Sequence, residues 1–178
     1  MYEINTKPPI YDPAAIQPMR DELVYVGFEE MLTPESVEKN LSVEDDKTKL
    51  IFINSVCGCS AGSARPGVAL ALQNEKIPHE LYTSFAGNDR DSVDVIRENY
   101  LSQYTASSPA IAIVKNGETI YHMGRHDIIG KSPEEIADIL SSEFDSIDSK
   151  EGPSISVGKY NELVHSISCG SKIPLNSN

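Results

Sequence analysis

No apolar run in this chain approaches the roughly 20 residues that a helix needs to cross a bilayer, so a membrane protein is not expected. The N-terminus from Met1 to Pro13 mixes Lys7, prolines and acids without an apolar centre. Neither a secretory signal nor an Arg-rich transit peptide is visible there, and the cytoplasm is the expected location. Basic residues are scarce too, with 15 Lys and Arg against 27 Asp and Glu and a net charge of -12. Nucleic-acid binding rests on cations that neutralise phosphates, and no dense basic cluster offsets this field, so nucleic acid is not an expected partner. Three cysteines are too few for a disulfide-stapled secreted scaffold. Two of them, Cys57 and Cys59, flank a single glycine, while Cys169 stands alone near the end. In a reducing compartment that spacing points to reactivity or to metal.

What is present suits one domain with extensions, since 178 residues bury one substantial core but are short for two. An Asp12-Pro13 start predicts a helix to about Leu32, and Thr33-Pro34 predicts a capped restart to about Leu41. The run Leu50 to Val56 is nearly continuous in apolar and β-branched residues and predicts a strand covered on both faces. A buried helix follows from Ser60 to Glu75, with Pro66 expected to kink it. A second strand is predicted over 79–85 and a helix over 91–101. Ala110 to Val114, the turn Lys115-Asn116-Gly117-Glu118 and Thr119 to Met123 form a hairpin, and Ser132-Pro133 caps a last core helix to about Phe144. The order β-α-β-α-β-β-α predicts an α/β protein, a mixed central sheet flanked by helices in the layout of the thioredoxin fold. The expected boundaries are an N-terminal extension over 1–10, the domain over 11–147 and a flexible tail over 148–178, where Ser, Gly and Asp prevail around one helical stretch near 159–167.

A thiol attacks a disulfide only as thiolate, and the N-terminus of a helix supplies unpaired N–H groups and a positive dipole end that stabilise it. Cys57 lies at the strand exit and is expected to be the exposed nucleophile; Cys59, within the first turn, is the resolving thiol. One intervening residue makes the disulfide ring small and its preferred geometry hard to reach, which favours exchange and shuffling over strong reduction. Gly58, without a Cβ, relaxes the backbone limits on that closure. In the thioredoxin layout a cis proline opens the strand that faces the active cysteine, so the Ser108-Pro109 bond is expected to be cis, with the backbone at Ser108 available to pair with substrate. Arg65 either adds positive field near the thiolate and substrate or pairs with an acid. Asn54 occupies the strand position where a buried carboxylate serves some thioredoxins as base, so no such base is evident.

Tyr11-Asp12-Pro13-Ala14-Ala15-Ile16-Gln17-Pro18-Met19-Arg20, Asn54-Ser55-Val56-Cys57-Gly58-Cys59 with Ala61-Gly62 and Ala64-Arg65-Pro66, Ser107-Ser108-Pro109 and Gly124-Arg125-His126 together resemble the bacilliredoxin family over about Tyr11 to Ile147. The resemblance implies a thioredoxin-like protein that removes bacillithiol, or a similar low-molecular-weight thiol, from mixed disulfides on cytosolic proteins, or isomerises disulfides. It implies no bound cofactor: the small thiol is a co-substrate, and the partners are S-thiolated or disulfide-containing proteins. Ser60 and Ser63 stand where Ala and Asn are expected in relatives, and the tail exceeds the family's usual end.

Three other readings compete. Two buried structural thiols would need neither the spacing nor the glycine. A metal-binding protein could draw on Cys57, Cys59 and the histidines 79, 122, 126 and 165, although their spacing is not a zinc pattern. A non-catalytic adaptor could keep the fold for partner binding alone. Cys169, in a polar tail, is expected to be incidental.

Overall fold

The computed structural model describes residues 6–175; residues 1–5 of the N-terminal extension and 176–178 of the tail lie outside the described residues. The chain runs through α1 (Pro13–Tyr25), β1 (Glu29–Glu30), α2 (Pro34–Leu41) and β2 (Thr48–Asn54), then a π-helical turn (Ser60–Ala64) leading into α3 (Arg65–Ala71). There follow β3 (Lys76–Ile77), β4 (Glu80–Phe85), α4 (Arg90–Asn99), β5 (Ala110–Lys115), β6 (Glu118–Met123), α5 (Arg125–Ile128), α6 (Pro133–Ser146), β7 (Lys150–Glu151) and α7 (Val157–Cys169).

The five-stranded sheet has the order β1-β4-β2-β5-β6, with β2 parallel to β4 and antiparallel to β5. β2 is buried at every position because both its faces are covered. Leu50 and Phe52 join Leu23, Val68, Ile136, Leu140 and Phe144 on the side of α1, α3 and α6. Ile51 and Ile53 join Val37, Leu41, Val93 and Ile96 on the side of α2 and α4. The alternation is that of a pleated strand, whose successive side chains point to opposite faces. The architecture is α/β and thioredoxin-like. Among the described residues no helix is long and apolar enough to cross a membrane.

The helix predicted to Leu32 stops earlier. Gly27 has φ +111°, a conformation open to glycine, and the chain turns there into β1, which pairs parallel with β4. The irregularity in this helix lies just before Pro66, where the kink is predicted. The N–H of Arg65 reaches back five residues to the Ser60 carbonyl, so the irregularity is a π turn that precedes the proline. At Gly67 an added Cβ would come within 2.7 Å of Ile136, which lets α3 and α6 approach closely.

The composition of 148–178 predicts a flexible appendage, whereas the described part of it, to residue 175, packs against the rest of the chain. β7 pairs antiparallel with β3, and the amide of Gln73 donates to the Ile155 carbonyl at 3.0 Å. Ser156 caps α7, whose Leu163 is buried in the main core together with Ile173 beyond the helix. A few well-spaced apolar residues, Ile155, Tyr160, Leu163 and Ile173, suffice to dock a segment that is otherwise polar.

Candidate active site

β2 ends at Asn54, and Ser55 and Val56 carry the chain out to Cys57, where the helix begins. The Cys57 carbonyl accepts hydrogen bonds from the N–H of Ser60 at 2.9 Å and of Ala61 at 3.2 Å, so Cys57 is the last residue before the first helical turn. Its own N–H donates to the Ser55 hydroxyl at 3.3 Å. All three cysteines are free thiols; Cys57 and Cys59 are half-buried, Gly58 is exposed.

The environment divides the two thiols. Burial pushes Cys57 up, but the Cys59 side chain hydrogen-bonded to its sulfur, the N–H groups of Cys59 and Ser60 and the charge of Arg125 outweigh it, so Cys57 lies below an ordinary cysteine. Cys59 is pushed up by burial first and then by its neighbour Cys57, against a smaller opposing pull from Arg125. Of the two thiols, Cys57 is therefore the more readily ionised, at the helix N-terminus where N–H groups and the dipole favour negative charge.

Beneath the turn lies a buried polar floor. Arg65, 3% exposed, donates from Nε to Glu22 at 2.7 Å and from one terminal nitrogen to Asn54 Oδ1, the Ser55 carbonyl and Ser60 Oγ, each at 3.1 Å. Asn54 Oδ1 also accepts from the Ser55 N–H at 2.9 Å, and its amide donates to the Met19 carbonyl at 3.0 Å. Arg65 is therefore not the substrate-facing group weighed for it: its guanidinium points inward and pairs with an acid. That acid, Glu22 on α1, is a half-buried carboxylate near the site that the sequence leaves unannounced, because it arrives from another element rather than from β2. Burial raises its pKa, and the Arg65 charge opposes the rise. Ser60 turns its hydroxyl into this floor and only its N–H toward Cys57, while Ser63 donates to the Lys131 carbonyl at 2.7 Å.

The Ser108–Pro109 bond is cis, Pro109 is buried and Ser108 half-buried. The neighbouring Ser107 hydroxyl accepts from the N–H of Arg125 at 3.1 Å, tying the proline turn to the residue whose charge reaches both thiols. Arg125 is the site residue that sequence reasoning left without a role; its one signal was its place in Gly124-Arg125-His126. The histidines go elsewhere. His122 stacks on Tyr104 with ring centroids 4.0 Å apart, His126 is exposed, and His79 bonds to Thr48. Among the described residues no three His, Cys, Asp or Glu side chains converge as metal ligands. Cys169 is exposed on α7, its sulfur 3.7 Å from the His165 ring.

Residues 11–147 match the family model described as disulphide isomerase. A bacilliredoxin from Cytophaga hutchinsonii is 44% identical over 138 residues, covering 78% of this chain and all of that protein. Bacilliredoxins from Salinibacter ruber and Geobacillus kaustophilus are 37% and 43% identical, covering 80% and 73% of this chain and 83% and 89% of their own lengths. With its sheet, its Cys-Gly-Cys turn and this degree of identity over most of its length, the chain belongs to the bacilliredoxin family.

Proposed function

We propose that this protein removes bacillithiol, or a similar low-molecular-weight thiol, from mixed disulfides on cytoplasmic proteins, with Cys57 as nucleophile. Family membership supports the general thiol–disulfide redox role. The observation that carries the finer reading is the split between the thiols, Cys57 lowered and half-exposed at a helix N-terminus, Cys59 raised beside it.

The Cys57 thiolate attacks the small-thiol sulfur of the mixed disulfide. A bond forms between Cys57 and that sulfur, the bond to the client sulfur breaks, and the client leaves as a thiolate that takes a proton from water. The client is reduced and Cys57 is oxidised to the mixed disulfide. A second thiol then attacks Cys57. Where it is Cys59, deprotonated as it attacks, the small thiol leaves and Cys57–Cys59 closes as a disulfide; where it is another molecule of the small thiol, that thiol's own disulfide forms and Cys57 is released. Attack by Cys57 on a disulfide within a client, followed by return of the client's thiolate onto a different sulfur, gives isomerisation with no net oxidation, and the family model's description favours retaining this second activity.

The experiment is intact-mass analysis of a bacillithiol-modified protein mixed with the purified chain. Wild type frees the substrate, Cys57→Ser does not, and Cys59→Ser accumulates a Cys57–bacillithiol adduct. Release by Cys57→Ser at the wild-type rate overturns the assignment.

A further inference from the structure

Between the C-terminal half of α4 and the segment that follows it lies a cavity of about 260 Å³, lined by Arg97, Tyr104, Thr105, Ser107, Ala110 and Ile53 among others. Arg97 is under-used there. A guanidinium offers five N–H donors in a planar fork. Here one terminal nitrogen donates to the Ser107 carbonyl at 3.2 Å, Nε is buried without a partner, and among the described residues Arg97 makes no ion pair. An unsatisfied buried donor costs free energy, and one on a cation lining a cavity is suited to an anionic acceptor. Burial also pulls the Arg97 pKa down against the opposing charge of Asp94. Glu98 lines the cavity as well, but it is exposed and its charge is screened by water.

One turn links the cavity to the residue whose charge reaches the thiols. Ser107 gives its carbonyl to Arg97 and its hydroxyl to the N–H of Arg125, whose charge acts on Cys57 and Cys59. Ala110 follows Pro109 and pairs with Ile53, four residues before Cys57.

We propose that this cavity holds the carboxylate end of the small thiol while its sulfur is exchanged at Cys57, with Arg97 as the anion-binding group. The inference rests on the reading of Cys57 as acceptor of that thiol, and it makes the enzyme selective for carboxylate-bearing thiols. A fragment of a small molecule suits the volume, which lies just below the range for whole-ligand pockets.

The test compares release of two adducts from one uncharged reporter peptide, bacillithiol, which bears carboxylates, and 2-mercaptoethanol, which does not. Arg97→Gln lowers the ratio of kcat/KM for the first over the second about tenfold, the loss of one charge-assisted contact, and the change falls in KM. An unchanged ratio overturns the proposal. If Arg97→Gln instead discriminates between acidic and neutral peptides carrying the same adduct, the occupant is a client side chain and the proposal is overturned. A wild type that releases neither adduct sinks the parent reading but not the cavity. That is decided by titrating wild type with S-methyl bacillithiol, an unreactive thioether, and following the Arg97 Nε resonance. A saturating shift supports the carboxylate site even if Arg97→Gln does not fold, and no shift at millimolar concentration overturns it.

Discussion

The turn that bears the thiols and the floor beneath it are a few residues apart and are held in opposite ways. Val56, Cys57 and Gly58 are exposed or half-exposed, and a Cβ built on Gly58 would touch nothing within 4 Å. Asn54, Ser60 and Arg65 are almost wholly buried and joined by hydrogen bonds of 3.3 Å or less. Exchange chemistry explains the contrast: the sulfur has to change partners and so is left accessible, while the backbone that aims it is fixed from below. The floor fixes the position of the turn, and the turn tunes the thiol.

The largest expected effect belongs to the floor. Arg65→Met leaves the Glu22 carboxylate without its partner in a mostly buried site, and breaking such a pair by removing one member costs about 3 kcal/mol. Urea unfolding measures it, and the double change Glu22→Gln with Arg65→Met should cost less than Arg65→Met alone. Arg65 directs its donors to Glu22, Asn54, Ser55 and Ser60 in the floor, so the pH midpoint of Cys57 alkylation in the folded variant should stay put. A stability loss under 1 kcal/mol, or a moved midpoint, would break the division between floor and turn.

The next effects belong to the turn and appear in titration rather than in stability. The Cys59 side chain helps hold Cys57 below its ordinary pKa, so Cys59→Ala should raise the midpoint at which iodoacetamide reacts with Cys57. The sign follows from the thiolate being the nucleophile: with a higher pKa, less thiolate is present at neutral pH and alkylation slows there. Arg125→Gln should move the midpoint in the same direction by less, since its charge is the weakest of these influences and the residue is exposed. Added salt should shrink the Arg125 effect and leave the Cys59 effect in place. A midpoint that falls in Cys59→Ala would assign the charge to the wrong sulfur.

The same contrast accounts for what the sequence could disclose. β2, the Asn116-Gly117 hairpin and the capped start of α6 are legible because each is written in a handful of consecutive residues: an apolar run, a turn with positive φ at both central positions, a Ser-Pro with Glu135 closing the cap. The Cys-Gly-Cys turn is local in the same way. The floor is not, since Arg65 and Glu22 lie 43 residues apart on different helices, and Glu22 read along α1 is one more charge on a helix. Arg20 makes the same point. It forms a two-nitrogen pair with Asp89 at 2.8 Å, bonds to Glu30 and lies over the Phe85 ring, so its place in the Tyr11 to Arg20 block anchors α1 to the end of β4. The docking of α7 escaped notice because its buried residues are sparse in a polar stretch, and composition averages them away.

The smallest expected effect sharpens the comparison most, because it concerns the residue between the two thiols. Gly58 does not have a positive φ in the dithiol protein, it begins a helix, and a Cβ there would meet nothing. By these criteria the reduced fold does not need glycine, and Gly58→Ala should leave thermal stability unchanged or raise it by about 0.4–1 kcal/mol through a less flexible unfolded chain. Its demand for glycine should instead lie in the oxidised form, where one intervening residue leaves little freedom to close Cys57 onto Cys59. The expected outcome is an equilibrium in glutathione buffers shifted toward the dithiol, with alkylation of Cys57 near the wild-type rate. If Gly58→Ala lowers the stability of the dithiol protein, the turn is as tightly constrained as the floor and the contrast between them does not hold.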